Sequence, residues 1–420
     1  MAAFLWLVYL VVGGLLLPGH SLSSLAEAAA VANNDGGSSQ LGNFALQKIL
    51  ADSSEVFGDG YTRSGSSNKM KNINRAEWMK RIPDSTPLTQ LNIPGTHDSA
   101  TWNFTQATSD AILHNTDPAN DVYPAAVYQC QRVSILAALN GGIRFFDLRY
   151  GFDPTGVRLV FWHAHALLSE LATVQDVLFG VYAWLEEHKS EVVILSLKAE
   201  ETGVTFPPGH ATPESLLVTS LTTPAARQYI LQRHDSLGQL GPARGKVILF
   251  RRFDTPTSLG GESKLPGLHL SPSTWPDNGK AFSLLYNPAK NLSAHIEDYY
   301  EPNDLPEGQK GNASVHIAAK LASVEANLQL AAANRNDDDV DRDGLFVTFT
   351  SAEHNANVPP ILPVIMALGN GTDVTPLGGV NRRLVKEVLP KLQGKRLGVL
   401  VIDFWDEPAD LDLVGTILGL

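Results

Sequence analysis

The sequence is poor in cysteine, in positive charge and in long apolar runs. Cys130 is the single cysteine among 420 residues, which excludes an intrachain disulfide and a zinc site built from several cysteines. The 32 Lys and Arg residues are outnumbered by 44 Asp and Glu residues, so the formal net charge is −12. An acidic surface argues against nucleic acid as a partner and against electrostatic capture by strongly anionic membranes. Stability must come from an apolar core.

The one long apolar run, Phe4–Leu17, is at the N-terminus. It is shorter than the ~20 residues of a membrane-spanning helix, and small residues follow it. Although no Lys or Arg precedes it, we expect residues 1–30 to be a signal peptide, with an uncleaved anchor as the alternative. Residues 31–71 are rich in Gly, Ser, Asn and Asp and predict a low-complexity linker or pro-like segment.

Four N-x-S/T triplets are compatible with a secretory route, and they begin at Asn103, Asn291, Asn312 and Asn370. Together with the predicted signal peptide, they favour a secreted, N-glycosylated protein. Such triplets also arise by chance, so they support the signal peptide without establishing it.

From residue 72 onward, short apolar runs alternate with helical patterns. The runs lack strict alternation, which is typical of strands covered on both faces. They predict strands at Leu91–Pro94, Gly142–Tyr150, Val157–Trp162, Glu191–Lys198, Lys246–Phe253, Gly344–Ser351 and Leu397–Trp405. A further strand is expected at Ser283–Asn287 or His295–Tyr300. Helices are expected at Thr173–His188, Ala313–Ala333 and Val380–Leu392.

The alternation predicts an α/β fold with one domain over residues 72–420. The expected architecture is a single (β/α)8 TIM-type barrel, distorted where loops are inserted. A doubly wound sheet is the alternative, but no G-x-G-x-x-G follows the first predicted strand. We expect a monomer.

Polar residues follow or end most of the predicted strands. A barrel places its active site at the carboxyl ends of its strands. The residues in these positions are His97 and Asp98, Asp147 and Arg149, His163 and His165, Lys198 and Glu200, Arg251 and Arg252, and Asp403. Arg251 and Arg252 are neighbours and cannot both face the site, because successive strand residues point to opposite faces.

Asp403 stands in an apolar strand, where an unpaired carboxylate would be costly. In a closed barrel the last strand lies beside the first, which would bring Asp403 next to His97. Two histidines, an arginine, a lysine and carboxylates on one rim suit phosphodiester cleavage. A neutral His takes a proton from the attacking hydroxyl, a protonated His gives one to the leaving oxygen, and Arg stabilises the phosphate charge.

Six stretches, in order, resemble the X-domain of phosphatidylinositol-specific phospholipases C, above all the bacterial-type enzymes and their secreted fungal relatives. They are WMKRIPDSTPLTQLNIPGTHDSATW, GGIRFFDLRYG, FWHAHALLS, EVVILSLKAE, GKVILFRRF and LGVLVIDFW. The resemblance extends roughly from Trp78 to the C-terminus, and GTHDS followed by FFDLR is its most specific part.

The resemblance implies catalytic roles. His97 resembles the general base that deprotonates the inositol 2-hydroxyl, with Asp403 as its partner. His163 resembles the general acid on the leaving diacylglycerol oxygen, supported by Asp98. Arg149 resembles the residue that contacts the phosphate in place of a metal ion.

The remaining site residues are implied more loosely. Asp147 resembles a neighbour of the arginine in the phosphate subsite. Lys198 and one of Arg251 and Arg252 resemble contacts to inositol hydroxyls or phosphate, and Glu200 at the same strand end is a further candidate for substrate binding. Asp298 and Tyr300 resemble an inositol-contacting Asp and a Tyr on which the ring stacks, which is the loosest of these matches.

A 1,2-cyclic inositol phosphate is the implied product, made without metal or cofactor. Metal-dependent relatives place an Asn after the first His and a Glu in the second strand, where this sequence has Asp98 and Phe145. The family has Gly or Ser after the second His, and Ala164 and His165 stand here. Alternation along the strand favours His163 over His165 for the acid role.

Less specific interpretations stay open. Asp147 with Arg149, and Lys198 with Glu200, could be structural ion pairs. Other functions are a glycerophosphodiester or sphingomyelin phosphodiesterase, or a secreted inositol- or glycan-binding protein with a decayed site. The expected partner is a phosphoinositide-type lipid or glycolipid met in a transient membrane contact. Three tryptophans are candidates for that contact, although most tryptophans pack in cores or loops: Trp102, Trp275 and Trp405.

Overall fold

The computed structural model describes seven stretches of the chain: residues 39–58, 75–113, 122–204, 206–207, 209–305, 311–333 and 344–420. The predicted signal peptide and parts of the predicted linker lie outside the described residues.

Within the described residues the chain alternates between strands and helices. The strands are β1 (Ile93–Thr96), β2 (Phe145–Phe152), β3 (Leu159–His163), β4 (Ala166–Leu167), β5 (Val192–Ala199), β6 (Lys246–Arg252), β7 (Leu268–His269), β8 (Phe282–Asn287), β9 (Leu292–Glu297), β10 (Leu345–Phe349) and β11 (Val399–Ile402). The helices are α1 (Gln40–Asp52), α2 (Ser54–Phe57), α3 (Gln106–Ile112), α4 (Ile135–Gly141), α5 (Val174–Glu187), α6 (Pro213–Leu221), α7 (Pro224–Tyr229), α8 (Leu240–Ala243), α9 (Ala313–Ala333), α10 (Pro363–Leu368), α11 (Val380–Arg383) and α12 (Leu413–Leu418).

The strands form a nearly closed barrel in the order β7-β6-β5-β2-β1-β11-β10-β9-β8. All neighbours on this path pair in parallel, except that β8 is antiparallel to β9. The predicted barrel is confirmed, and so is its distortion, because β8 is an additional antiparallel strand at one edge. The last long strand, β11, lies beside β1 as barrel closure requires.

Alternate side chains of the strands pack on opposite sides of the sheet. Phe145, Ile194, Phe250 and Val401 belong to one cluster inside the barrel. Intervening residues such as Leu148 pack in an outer cluster with the apolar face of α5. The helix α5 begins at the predicted capping box, in which Thr173 and Asp176 each accept a hydrogen bond from the other's backbone.

The strand that carries His163 differs from the expectation. β3 is not a parallel barrel strand: it pairs antiparallel with the upper part of β2, Tyr150–Phe152, and with β4. The chain therefore continues along β2 past the part that pairs with β5, turns, and returns along β3, which ends at His163. The apolar sequence of β3 did not distinguish this hairpin strand from a barrel strand.

Part of the predicted linker also needs correction. Residues Gln40–Asp52 and Ser54–Phe57 are helical, and Val56 and Phe57 are buried to 0% and 1% exposure. The Phe57 ring fills the space that a side chain at Gly180 of α5 would occupy. This stretch is packed on the barrel because these few apolar residues outweigh its polar composition.

Some predicted helix and strand boundaries differ from those in the structure. The helix expected at Val380–Leu392 is α-helical only to Arg383 and then passes through a π-turn and a 3₁₀ turn that contains Pro390. Both candidate strands, at Ser283–Asn287 and His295–Tyr300, exist as β8 and β9. The two-residue strands β4 and β7 were not predicted.

Among the described residues, no helix combines the length and the apolar character needed to span a membrane.

Candidate active site

His97 and Asp403 meet at the carboxyl ends of β1 and β11. The Nδ1 atom of His97 lies 2.9 Å from Oδ1 of Asp403. On its other side, Nε2 of His97 lies 2.6 Å from Nη2 of Arg149. A guanidinium can only donate hydrogen bonds, so Nε2 accepts and carries no proton. In neutral His97 the proton is therefore on Nδ1, which donates to Asp403 and leaves Nε2 as the basic atom.

The pKa values of this pair agree with a neutral imidazole. Burial, followed by the charge of Arg149, holds the pKa of His97 well below its ordinary value of 6.5. Burial, reinforced by the neighbouring Asp98, raises the pKa of Asp403 well above its ordinary value. The Asp403 side chain is only 2% exposed, so the hydrogen bond from His97 is important for stabilising it.

His163 faces His97 across the site, with the ring centroids 6.3 Å apart and the planes nearly perpendicular. Its Nδ1 atom donates to the main-chain oxygen of Tyr128 at 2.8 Å. Its Nε2 atom lies 3.2 Å from Oδ2 of Asp98. The carbonyl fixes a proton on Nδ1, so Nε2 is the nitrogen of His163 that points toward Asp98 and His97.

Arg149 is held by acidic residues on three sides. Its Nε atom lies 2.8 Å from Asp98 and 3.2 Å from Asp147, and its Nη1 atom lies 3.2 Å from Glu200. Burial disfavours the charge of Arg149, but these carboxylates together raise its pKa well above the ordinary value. Burial likewise opposes ionisation of Asp147, but Arg149 and then Arg252 lower its pKa. The guanidinium is fixed, charged and only 14% exposed.

The backbone turns sharply after each of the three most important residues. Asp98, Ala164 and Phe404, which follow His97, His163 and Asp403, have φ angles of 40°, 48° and 49°. Residues other than glycine rarely adopt this left-handed backbone conformation, which costs about 1–3 kcal/mol per residue. Strain at three such points is a typical property of a functional site.

A second group of side chains extends the site along β5 and β6. Lys198 lies 3.1 Å from Glu200, and Arg252 lies 3.3 Å from Asp147 and 3.8 Å from Asp298. Burial, followed by Arg149, lowers the pKa of Lys198. These positively charged groups lie near Arg149 and could contact an anionic group there.

Arg251 does not join the other site residues. It lies on the other face of β6, buried to 1% exposure, and pairs with Glu262 at 2.6 Å. The alternation along β6 therefore selects Arg252. Asp298 lies 3.8 Å from Arg252, and Tyr300, two residues further on, donates a hydrogen bond to Asp277.

Several further residues lie around the site. The Trp275 ring centroid lies 3.9 Å from the Arg252 guanidinium carbon, and its Nε1 donates to Asp298 at 2.9 Å. Trp102 donates to the Val56 carbonyl. His165 lies in the turn between β3 and β4. Tyr128 and Gln131 are in an irregular segment with no sequence signal, although Tyr128 contacts His163 and Gln131 contacts His97.

Three sets of side chains in the site have atoms close enough to bind a metal ion: His97, Cys130 and Asp403; Asp98, Cys130 and His163; and His97, Asp98 and Asp147. The third set surrounds the Arg149 guanidinium, whose nitrogens contact all three of its members. A cation could bind there only by displacing Arg149, so the residues present do not fit a resident metal at this point.

The chain is similar in sequence to phosphatidylinositol phosphodiesterases. It is 35% identical over 136 residues to the PI-PLC X domain-containing protein 1 of Danio rerio, a match that covers 29% of this chain and 43% of that protein. It is 23% identical over 247 residues to the 1-phosphatidylinositol phosphodiesterase of Staphylococcus aureus, covering 58% of this chain and 71% of that protein. No protein-family model matches the chain.

The fold is also similar to a solved structure. A mutant of the phosphatidylinositol-specific phospholipase C from Staphylococcus aureus superposes with a TM-score of 0.61 at 20% identity, covering 82% of this chain and 97% of that one. These matches confirm the family resemblance and the barrel. The chain spans less than half the length of the PI-PLC X domain-containing proteins that it matches.

Proposed function

We propose that the protein is a metal-independent phosphoric diester lyase or hydrolase that cleaves phosphatidylinositol-type lipids or their glycosylated relatives. The observation that carries the proposal is the pair His97 and His163. The Nε2 atom of His97 accepts a hydrogen bond from Arg149, and the Nε2 atoms of both histidines lie 3.2 Å from Oδ2 of Asp98. Their rings, 6.3 Å apart, can lie on either side of a phosphodiester.

In the proposed reaction, Nε2 of His97 takes the proton of the inositol 2-hydroxyl, and that oxygen attacks phosphorus. The bond from phosphorus to the glycerol oxygen breaks, and Nε2 of His163 gives its proton to the leaving oxygen. The products are a 1,2-cyclic inositol phosphate and diacylglycerol. Slow hydrolysis of the cyclic phosphate would complete a hydrolase cycle.

Arg149 supports the metal-free form of this reaction. Its charge lies beside His97 and is fixed by Asp98, Asp147 and Glu200, so it needs little reorganisation when charge develops on the phosphate oxygens. Asp403 holds the tautomer of the base. Lys198, Arg252 and Asp298 border the adjoining space and are proposed to contact inositol hydroxyls.

We further propose that the protein is a secreted, N-glycosylated monomer that meets its lipid substrate in transient contacts at a membrane surface. The predicted signal peptide and the four N-x-S/T triplets support secretion. The negative net charge of −12 supports brief contact in place of tight electrostatic binding.

The test is cleavage of phosphatidylinositol vesicles by purified protein in EDTA, with phosphorus NMR of the water-soluble product. We expect the signal of a cyclic inositol phosphate. His97→Ala and His163→Ala should each lower the rate by about 10²–10⁴-fold, the usual contribution of a general acid or base. His165→Ala is the matched control and should retain the wild-type rate.

Each other outcome has a definite meaning. Activity that appears only after calcium is added would contradict the metal-free role of Arg149. Loss of activity in His165→Ala with retention in His163→Ala would reverse the acid assignment. No product under either condition, with glycerophosphodiesters and sphingomyelin also left intact, would favour a binding protein with a decayed site.

A further inference from the structure

A short irregular segment, Tyr128–Gln131, contacts the surroundings of both catalytic histidines. We infer that this segment, here called the brace, positions the site, and that Gln131 is its positioning residue for His97 and Asp403. The inference rests on the proposed function, because it assigns Gln131 an effect on the reaction through His97. The sequence gives the brace no strand or helix signal.

The sheet pairing between β1 and β11 ends before it reaches His97 and Asp403, so the brace is needed to connect the two chains there. The parallel pairing of β1 with β11 stops at Thr96 and Ile402, one residue before His97 and Asp403. Beyond that point the two chains diverge through left-handed residues at Asp98 and Phe404. One backbone hydrogen bond, from His97 N to Ile402 O at 3.2 Å, remains at the end of the ladder.

Gln131 ties the two diverging chains together. Its Nε2 atom donates to the main-chain oxygen of His97 at 2.8 Å and to that of Ile402 at 2.8 Å. An amide nitrogen has two hydrogens, so both donors are used. The side chain is 1% exposed, and its Oε1 atom has no hydrogen-bond partner among the described residues. Gln131 therefore acts through its two donors.

The rest of the brace contacts the site through its backbone. The Tyr128 carbonyl accepts from Nδ1 of His163, and the Cys130 carbonyl accepts from the backbone N–H of Phe404, directly after Asp403. The Cys130 N–H donates to Oγ1 of Thr101 at 3.0 Å. One short segment thus contacts the acid, the base and the residue after the carboxylate that orients the base.

The experiment compares Gln131→Met with Gln232→Met. Methionine keeps the length and volume of glutamine but has no donor. Gln232 is the matched control because its amide also donates to a main-chain carbonyl, that of Ile230 at 2.9 Å, but lies outside the brace. In Gln131→Met we expect kcat to fall about 10- to 100-fold, the effect of a small misplacement of reacting groups, with KM within about twofold of wild type.

Nitrogen-15 NMR of the histidines gives a readout that is independent of activity. In wild type and Gln232→Met, neutral His97 should carry its proton on Nδ1. In Gln131→Met it should show a mixture of the two tautomers. Thr101→Val removes the acceptor of the Cys130 N–H and also the hydroxyl that donates to the Asp98 carbonyl, without touching Gln131. It should change the spectrum in the same direction.

The outcomes separate the two proposals. Wild-type kcat together with a single Nδ1–H tautomer in Gln131→Met would overturn the positioning role. If Gln131→Met does not fold, an unchanged tautomer and kcat in Thr101→Val would do the same. If the wild-type protein cleaves no phosphatidylinositol, the proposed function fails, while the tautomer comparison still decides the role of the brace.

Discussion

At the residue scale, the site depends on groups that hold one another in a defined protonation state. Arg149 keeps the Nε2 atom of His97 free of a proton, and Asp403 keeps a proton on Nδ1. His163 donates from Nδ1 to the Tyr128 carbonyl, and its Nε2 atom shares the neighbour Asp98 with His97. The two histidines differ in that only the Nε2 atom of His97 contacts a guanidinium.

The lowered pKa of His97 predicts the pH dependence of the reaction. A base works in its neutral form, and a pKa below 6.5 keeps His97 neutral as the pH falls. The acid limb of the profile of kcat/KM should therefore lie below pH 6.5. Because Lys198 contributes to the lowering, Lys198→Met should move this limb to higher pH.

The measurement is kcat/KM on vesicles across about pH 4 to 9 in EDTA, since this ratio reports ionisations of the free enzyme. His165→Ala serves as the control and should reproduce the wild-type profile. An acid limb above pH 6.5, unaffected by Lys198→Met, would show that His97 is not the group that limits the rate in acid.

At the scale of elements, the N-terminal helices α1 and α2 are part of the barrel's packing. Phe57 lies against Gly180 on α5, and the Val56 carbonyl accepts a hydrogen bond from Trp102, five residues beyond His97. Glu55 accepts from Ser169 at 2.6 Å. This stretch thus connects the outside of α5 with the loop that follows β1.

Phe57→Ala should destabilise the fold by about 3–5 kcal/mol, the usual cost of truncating a fully buried phenylalanine. Phe44→Ala is the matched control: the same substitution on α1, at a side chain that is 56% exposed, should change the free energy of unfolding by less than about 0.5 kcal/mol. Urea unfolding of the three proteins measures both. Equal stabilities for Phe57→Ala and wild type would mean that α2 does not pack on α5 in solution.

At the scale of the whole molecule, the barrel gathers side chains that are far apart in sequence at one rim, while the overall charge remains negative. The site itself contains Arg149, Lys198 and Arg252, but acidic partners accompany each of them. The positive charges of the site are therefore confined to these three side chains, and the molecule as a whole is acidic.

The net charge of −12 predicts that binding to lipid vesicles does not depend on salt in the manner of a basic protein. Raising NaCl from about 0.05 to 0.5 M shortens the screening length and should leave binding unchanged or strengthen it. Replacing a zwitterionic lipid by an anionic lipid should not increase binding. Cosedimentation with vesicles measures this, and a loss of binding in high salt would point to a basic docking surface.

Much of the site could be predicted from the sequence because it follows the period of two along strands. Asp147 and Arg149, two apart on β2, face the same space, and Arg252 but not Arg251 joins them. The pairing of Asp403 with His97 followed from barrel closure. Alternation also favoured His163 over His165, although it assumed a barrel strand where the structure has an antiparallel hairpin.

The sequence by itself determined the strand–helix alternation, the barrel and the polar residues at the strand ends, since these depend on local periodicity and on which residue types tolerate burial. Only the tertiary structure decided the path of β3, the packing of Phe57 and the contacts of Gln131. Each of these depends on hydrogen bonds or packing between segments distant along the chain. A backbone carbonyl that fixes a histidine, such as that of Tyr128, leaves no trace in the identity of its residue.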